Sequence, residues 1–158
     1  MKLIPLTQGQ VAKVSDEWYE ELNKDKWSAQ YCPHTKSYYA VRTSTLLGKQ
    51  KMTMMHRVIA GTPDGMETDH KDGDTLNNLP DNLRTCTHSQ NRCNRGKTVA
   101  NTSGYKGVFA SLKKWQAKIK VDGKLLYLGT YLTPEEAARV YDEAAKKHHG
   151  EFAKLNLE

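Results

Sequence analysis

Between Trp115 and Val121 the chain alternates strictly, with Trp115, Ala117, Ile119 and Val121 on one side and Gln116, Lys118 and Lys120 on the other. A period of two is the mark of a half-buried strand. The runs Tyr105 to Ala110 and Lys124 to Tyr131 read as its neighbours, and Asp122-Gly123 supplies a two-residue hairpin turn. One face of this three-stranded antiparallel sheet is a core and the other a cationic ridge. Lys106 and Val108 share strand parity, so a bulge at Gly107 is expected to separate them. The period then changes. Thr133-Pro134-Glu135-Glu136 combines an N-cap, a proline at the first helical position and a glutamate at the third. Ala137, Val140, Tyr141, Ala144 and His148 recur at helical spacing until Gly150 ends the run. The small alanines let this helix lie close against the sheet.

Upstream the elements are shorter. QGQVAKVS predicts a strand with Val11 and Val14 near a core. Ser15 ahead of DEWYEELNKDKW predicts an N-capped helix with an acidic first turn, burying Trp18, Leu22 and Trp27. SYYAVRT and QKMTMMH alternate as paired strands around a Leu47-Gly48-Lys49 turn. Residues 66 to 70 read as a short strand entering a turn at Asp72-Gly73, and Leu83 to Cys86 as a second strand. Thr87 with Gln90 forms a capping box for a polar helix running to Arg95, with Gly96 as its stop. GKTVANTS has no periodicity. The fold class is α+β in two modules, residues 1–95 and 103–158, joined by a linker at 96–102.

Composition narrows this further. Of 158 residues, 37% are hydrophobic and 27% charged, which argues against one large core and for small, surface-rich modules. The net charge of +6 favours a polyanionic partner. Its distribution is +4 over residues 1–60, −1 over 61–100 and +3 over 101–158, an acidic centre between basic flanks. Cys32, Cys86 and Cys93 are odd in number and form neither a disulfide framework nor paired CxxC knuckles, and Cys32 with His34 is too small a set for a metal. No apolar run is long enough to span a membrane and no signal-peptide pattern opens the chain, so the protein is expected to be intracellular.

The chemistry gathers in METDHKDGDTLNNLPDNLRTCTHSQNRCNR, Met66 to Arg95. Here one carboxylate, Asp69, and one imidazole, His70, stand side by side among several carboxamides. That mixture suits a hard divalent cation beside a general base. The order Asp69-His70, then Asn82 in DNL, then Asn91 in SQNRCN resembles the HNH nuclease motif of the ββα-metal fold, in the variant used by homing endonucleases. MHRVIAG, Met55 to Gly61, is similar to the lead-in such enzymes carry. The resemblance implies that Asp69 and Asn91 ligate the metal, that His70 is the general base, and that Asn82 holds either the loop or the imidazole. The cofactor it implies is Mg²⁺, with Mn²⁺ as an alternative.

SGYKGVFA, KWQAKIKV and YLGTYLTPEEAARVYDEAAKKHHGEFAKLN together resemble the Apetala-type DNA-binding domain of plant ethylene-response factors, over about Ser103 to Asn156. In that family the sheet lies in the major groove. By position its DNA contacts fall on Lys106, Trp115, Lys118, Lys120 and Tyr127, with Arg57 and Arg95 as further phosphate contacts. The family's arginines are here largely lysines, which lack the bidentate fork that reads guanine, so looser sequence discrimination follows. The two resemblances together imply Mg²⁺-dependent cleavage of double-stranded DNA by a homing or phage-type enzyme, encoded by a phage or mobile element and acting in the host cytoplasm. With no heptads and no obligate protein partner evident, a nicking monomer is expected. The alternative is a DNA-binding regulator with a silent nuclease site.

Overall fold

The structure, a computed structural model, describes residues 1–46, 48–98 and 100–157. Leu47, assigned to a turn by the sequence, Val99, assigned to the linker, and the terminal Glu158 lie outside the described residues. The chain divides into two units, Met1–Thr87 and His88–Glu158.

The first unit begins with an antiparallel hairpin of β1 (Lys2–Pro5) and β2 (Val11–Val14). Ala12 and Val14 are buried and Val11 is exposed. Val11 and Val14 have opposite strand parity, so one strand could not turn both into the core, and Ala12 takes the place expected of Val11. Helix α1 (Asp16–Leu22) starts after an extended Ser15, but that hydroxyl makes no cap bond. The acidic pair Asp16 and Glu17 in its first turn suits the positive end of the helix. Leu22 and Trp27 are buried, the indole N–H donating to the Leu22 carbonyl at 2.8 Å.

Strands β3 (Ser28–Cys32), β4 (Ser37–Leu46) and β5 (Lys49–Met54) form an antiparallel meander. β5 runs directly into helix α2 (Met55–Ala60), which ends at Gly61 in the left-handed conformation, φ 57°. The last elements of the unit are β6 (Glu67–His70) and β7 (Leu83–Cys86), paired with Asp69 opposite Arg84 and His70 opposite Leu83. α2 packs against β4, β6 and β7. Met55 and Ile59 thereby join Ile4, Val14, Leu22, Trp27 and Leu83 in one core. The loop between β6 and β7 is stitched to β2: the Lys13 N–H donates to the Leu76 carbonyl and the Asn78 N–H to the Lys13 carbonyl, at 2.8 and 2.9 Å.

The second unit opens with helix α3 (His88–Asn94), which the sequence assigned to the first module. Strands β8 (Val108–Ser111), β9 (Lys114–Val121) and β10 (Lys124–Tyr131) follow, in the order β10-β9-β8, and helix α4 (Pro134–His149) covers one face. β8 starts three residues later than expected, because residues 105–107 form a turn. Lys106 therefore precedes the strand, and no bulge is needed at Gly107 to separate it from Val108. The register shift lies instead in β10, between Tyr127 and Gly129. α4 has the full capping box, with Thr133 and Glu136 each bonded to the other's backbone N–H. Ala137, Ala138, Tyr141 and Ala145 are buried against Val108, Ala117 and Ile119, while Val140 and Ala144 are half-buried and His148 is exposed. The apolar stripe is thus rotated slightly from the one the spacing predicts.

Candidate active site and nucleic-acid interface

β6 delivers Asp69 and His70 into the first unit as buried residues, each only 5% exposed. Asp69 is answered from the paired strand: Arg84 places Nε and Nη2 at 2.8 and 2.6 Å from Oδ2. The sequence reading passed over Arg84. Its signal was available, since an antiparallel β6–β7 pair sets the residue two past Asn82 directly across from Asp69.

The His70 Nε2 lies 3.3 Å from Oδ1 of Asn78, a residue with no exposed surface. Because the Asn78 Nδ2 donates to the Leu76 carbonyl at 3.2 Å, its Oδ1 is the acceptor. The hydrogen-bond network therefore assigns the proton of the neutral imidazole to Nε2 and makes Nδ1 the basic nitrogen. Burial pushes His70 below its ordinary value, while the Asn78 bond and the carboxylates of Asp72, Asp69 and Asp74 push the other way. The ring also stands edge-on to His56, centroids 5.1 Å apart at 84°, and Tyr39 flanks both rings at 5.7 and 6.4 Å. Burial, with lesser contributions from His70 and Arg57, pushes His56 down to about 3, so it is a second neutral imidazole.

Asn82 settles on one of its two expected roles. Its Oδ1 accepts from the Asp72 N–H at 3.1 Å, and its Nδ2 donates to Asp72 Oδ1 at 2.9 Å and to the Asn77 carbonyl at 2.8 Å. These bonds brace the loop, and the carboxamide on the imidazole is that of Asn78. Asp72 also accepts from the Asn77 side chain at 2.7 Å and the Asp74 N–H at 2.8 Å. Burial raises its carboxyl, but the bonds from Asn77, Asn82 and Asp74 outweigh this and hold it below the usual range.

Among the described residues no group of three or more His, Cys, Asp and Glu side chains could hold a metal ion. A carboxylate with a carboxamide, Asp69 with Asn91, is by donor type an oxygen set suited to a hard cation that keeps much of its water. Asp69, His70 and Asn82 belong to the first unit. Asn91 on α3, and Arg95 just beyond it, belong to the second.

The outer face of the second unit's sheet carries Gln116, Lys118 and Lys120 on β9, with Phe109 and Tyr127 as its aromatic members. The register sets Lys118 opposite Tyr127 and Lys120 opposite Leu125. The Lys118 ammonium lies 5.9 Å over the Phe109 ring, and Lys120, Tyr127 and Arg95 are exposed. Three other residues expected at DNA are engaged within the protein. Trp115, on the inner parity of β9, packs against the cluster of Val108, Ala117, Ala137 and Ala138. Arg57 donates to the carbonyls of Met66, Thr62 and Pro63. Lys106 donates its ammonium to the Cys93 carbonyl, and burial pushes it down to about 8. No helix among the described residues is long and apolar enough to cross a membrane.

Residues 54–93, from the end of β5 through most of α3, match the model of the HNH endonuclease family. The chain is 32% identical over 155 residues to an uncharacterized HNH endonuclease of Acanthamoeba polyphaga mimivirus, an alignment covering 94% of this chain and 76% of that protein. It is 33% identical over 95 residues to Protein 3.8 of Escherichia phage T7, covering 59% of this chain and 78% of that one. An ethylene-responsive transcription factor-like protein of Arabidopsis thaliana is 55% identical over 40 residues, 25% of this chain but only 18% of the plant protein. With Asp69, His70, Asn82 and Asn91 at HNH spacing, and a three-stranded sheet and helix behind them, the chain belongs to the HNH endonucleases and is a fusion of that nuclease with an Apetala-type module.

Proposed function

We propose that this nuclease hydrolyses phosphodiester bonds of double-stranded DNA with a divalent cation, Mg²⁺ before Mn²⁺, and that the outer face of β8–β10 directs it to DNA. The observation that carries this reading is the buried His70, neutral and fixed in one tautomer by Asn78, next to the carboxylate of Asp69. A neutral imidazole with Nδ1 as its basic atom takes a proton from an attacking water near neutral pH. Asp69 and Asn91 are the residues that would hold the cation, and Arg84 orients the Asp69 carboxylate. When bound, the cation supplies charge stabilisation at the phosphate and the leaving oxygen. Asn82 keeps the β6–β7 loop in shape, and Asn78 keeps the base in register.

Lys118 and Lys120 supply phosphate-neutralising charge, and Phe109 and Tyr127 offer aromatic contact. Lys106, Trp115 and Arg57 support the fold beneath this surface. The functional partition is 1–95 for the nuclease, 96–102 for the linker and 103–158 for the targeting module. The relatives in phage T7 and a mimivirus favour a phage or mobile-element enzyme of the homing or nicking kind, at work inside a host cell.

One base per chain hydrolyses one phosphodiester at each docking, so a monomer nicks. The test is supercoiled plasmid carrying a site selected from random DNA, at limiting enzyme, with Mg²⁺ and with chelator. Open circles accumulating well before linear product, and nothing with chelator, is the expected result. Direct conversion to linear DNA overturns the monomer, and undiminished cleavage in chelator overturns the metal.

A further inference from the structure

Helix α3 is held without an apolar face. None of its seven residues, HSQNRCN, is buried, and a segment of that length does not hold helical shape alone. The Lys106 ammonium donates to the Cys93 carbonyl in its last turn, where helix carbonyls lack partners and a cation is favoured. Lys106 is itself clamped. The Asn156 side chain accepts from its N–H at 2.6 Å and donates to its carbonyl at 3.0 Å. Asn156 is tied to Asp142, a buried carboxylate of α4, by its backbone N–H at 2.9 and 3.0 Å and its side chain at 3.1 Å. The next residue, Gly107, adopts φ 75°, and a Cβ there would fall 2.1 Å from the Tyr141 ring.

A continuous set of bonds therefore runs from α4, through the C-terminal tail and the 105–107 turn, to the end of α3. Beside it lies a cleft of about 510 Å³ lined by Arg92 and Cys93 of α3, Lys106, Lys120 and His149. α3 faces open volume on that side, so packing does not hold it there. Because Lys106 is harder to protonate here than in an unfolded chain, the fold gives up stability to hold the ammonium in this place. Its purpose is something other than stability.

We propose that Lys106 is a positioning residue for the nuclease: it seats α3, and with it Asn91, on the sheet-and-helix fold of the targeting module. The module that engages DNA thus also holds one of the groups that bind the metal. The proposal rests on the reading of Asn91 given above.

The test compares Lys106→Met, which keeps the stem and loses the charge, with Lys106→Arg, which keeps a cationic donor, both in the full chain. In metal-free protein, hydrogen exchange of the last-turn amides of α3 rises by about tenfold or more in Lys106→Met, stays parental in β9 and α4, and returns toward parental in Lys106→Arg. The Mg²⁺ concentration for half-maximal cleavage rises by roughly fivefold in Lys106→Met, while DNA affinity without metal stays within about twofold. Unchanged exchange in α3 overturns the seat. A loss of affinity with a salt slope lower by about one, and parental cleavage of the bound complex, makes Lys106 a phosphate ligand and overturns it as well. Asn91→Ala separates the underlying reading: a parental Mg²⁺ titration there removes Asn91 from the metal site, whatever exchange reports about Lys106.

Discussion

Asp69, His70 and Asn78 of the first unit show solvent at most 5% of their surface, whereas Tyr127 of the second shows 60% and Lys120 stands open on the outer face of its sheet. Burying polar groups is tolerable only when each is answered. Arg84 answers Asp69, Asn78 answers His70, and the backbone of β2 answers Asn78. In return those groups have one geometry, which proton transfer requires. The lysines of the sheet keep their water and give up geometry. That suits attraction to phosphate, which needs charge near a surface more than a fixed angle. Damage to the first unit should therefore appear in rate, and damage to the second in affinity.

The largest expected effect is on His70. His70→Ala should lower single-turnover cleavage by on the order of a hundredfold or more, with DNA affinity nearly unchanged. A parental rate would end the role of His70 as base and with it the contrast. Asn78→Leu sharpens the point, because it keeps the bulk and loses the acceptor. Its kcat should fall by on the order of tenfold at a parental KM, since a base that can rotate is less often in line. A change in KM alone would mean that Asn78 shapes DNA binding.

Next is the response to acid. His56 is held at about 3 in the fold against an unfolded value near 6.5, and His70 is lowered in the same direction. As pH falls below about 6.5 the unfolded chain takes up protons that the folded chain refuses, so stability is fullest above that pH and declines below it. For His56 the decline is up to ~1.4 kcal/mol per pH unit, down toward pH 3. Urea unfolding across pH 4 to 7 measures it, and His56→Phe should flatten the slope. The smallest effects belong to the sheet. Lys118→Ala and Lys120→Ala should each weaken binding a few-fold and reduce the salt slope by about one, with the bound complex cleaving at the parental rate. If the rate falls instead, the sheet takes part in catalysis.

Much of this was legible from period and punctuation. The β9 alternation, the Asp122-Gly123 turn and the Thr133 capping box are local signals, and each produced the element it predicted. The Asp69-His70 strand and its partner from Leu83 were equally local. What escaped depended on contacts between distant residues. Asn78 looked like one more turn residue, because nothing in its neighbourhood shows that Lys13 will anchor the loop and swing that carboxamide under His70. Lys106 read as a strand cation because the clamp by Asn156 comes from fifty residues away. Trp115 had the parity of the core, and parity proved a better guide to its place than position within a family pattern.

The brace around Asp72 also bears on how this protein ages. In a mobile chain an Asp-Gly pair slowly cyclises, the glycine nitrogen attacking the carboxyl carbon, and the ring reopens largely to isoaspartate. Here both carboxylate oxygens of Asp72 are held by Asn77, Asn82 and the Asp74 N–H, and the Gly73 nitrogen is occupied by the His70 carbonyl at 3.0 Å. Attacker and target are pinned apart, so the loop beside the general base should accumulate isoaspartate only in molecules that have first unfolded. Isoaspartate at Asp72 in a stored sample would thus record how often the nuclease module has opened.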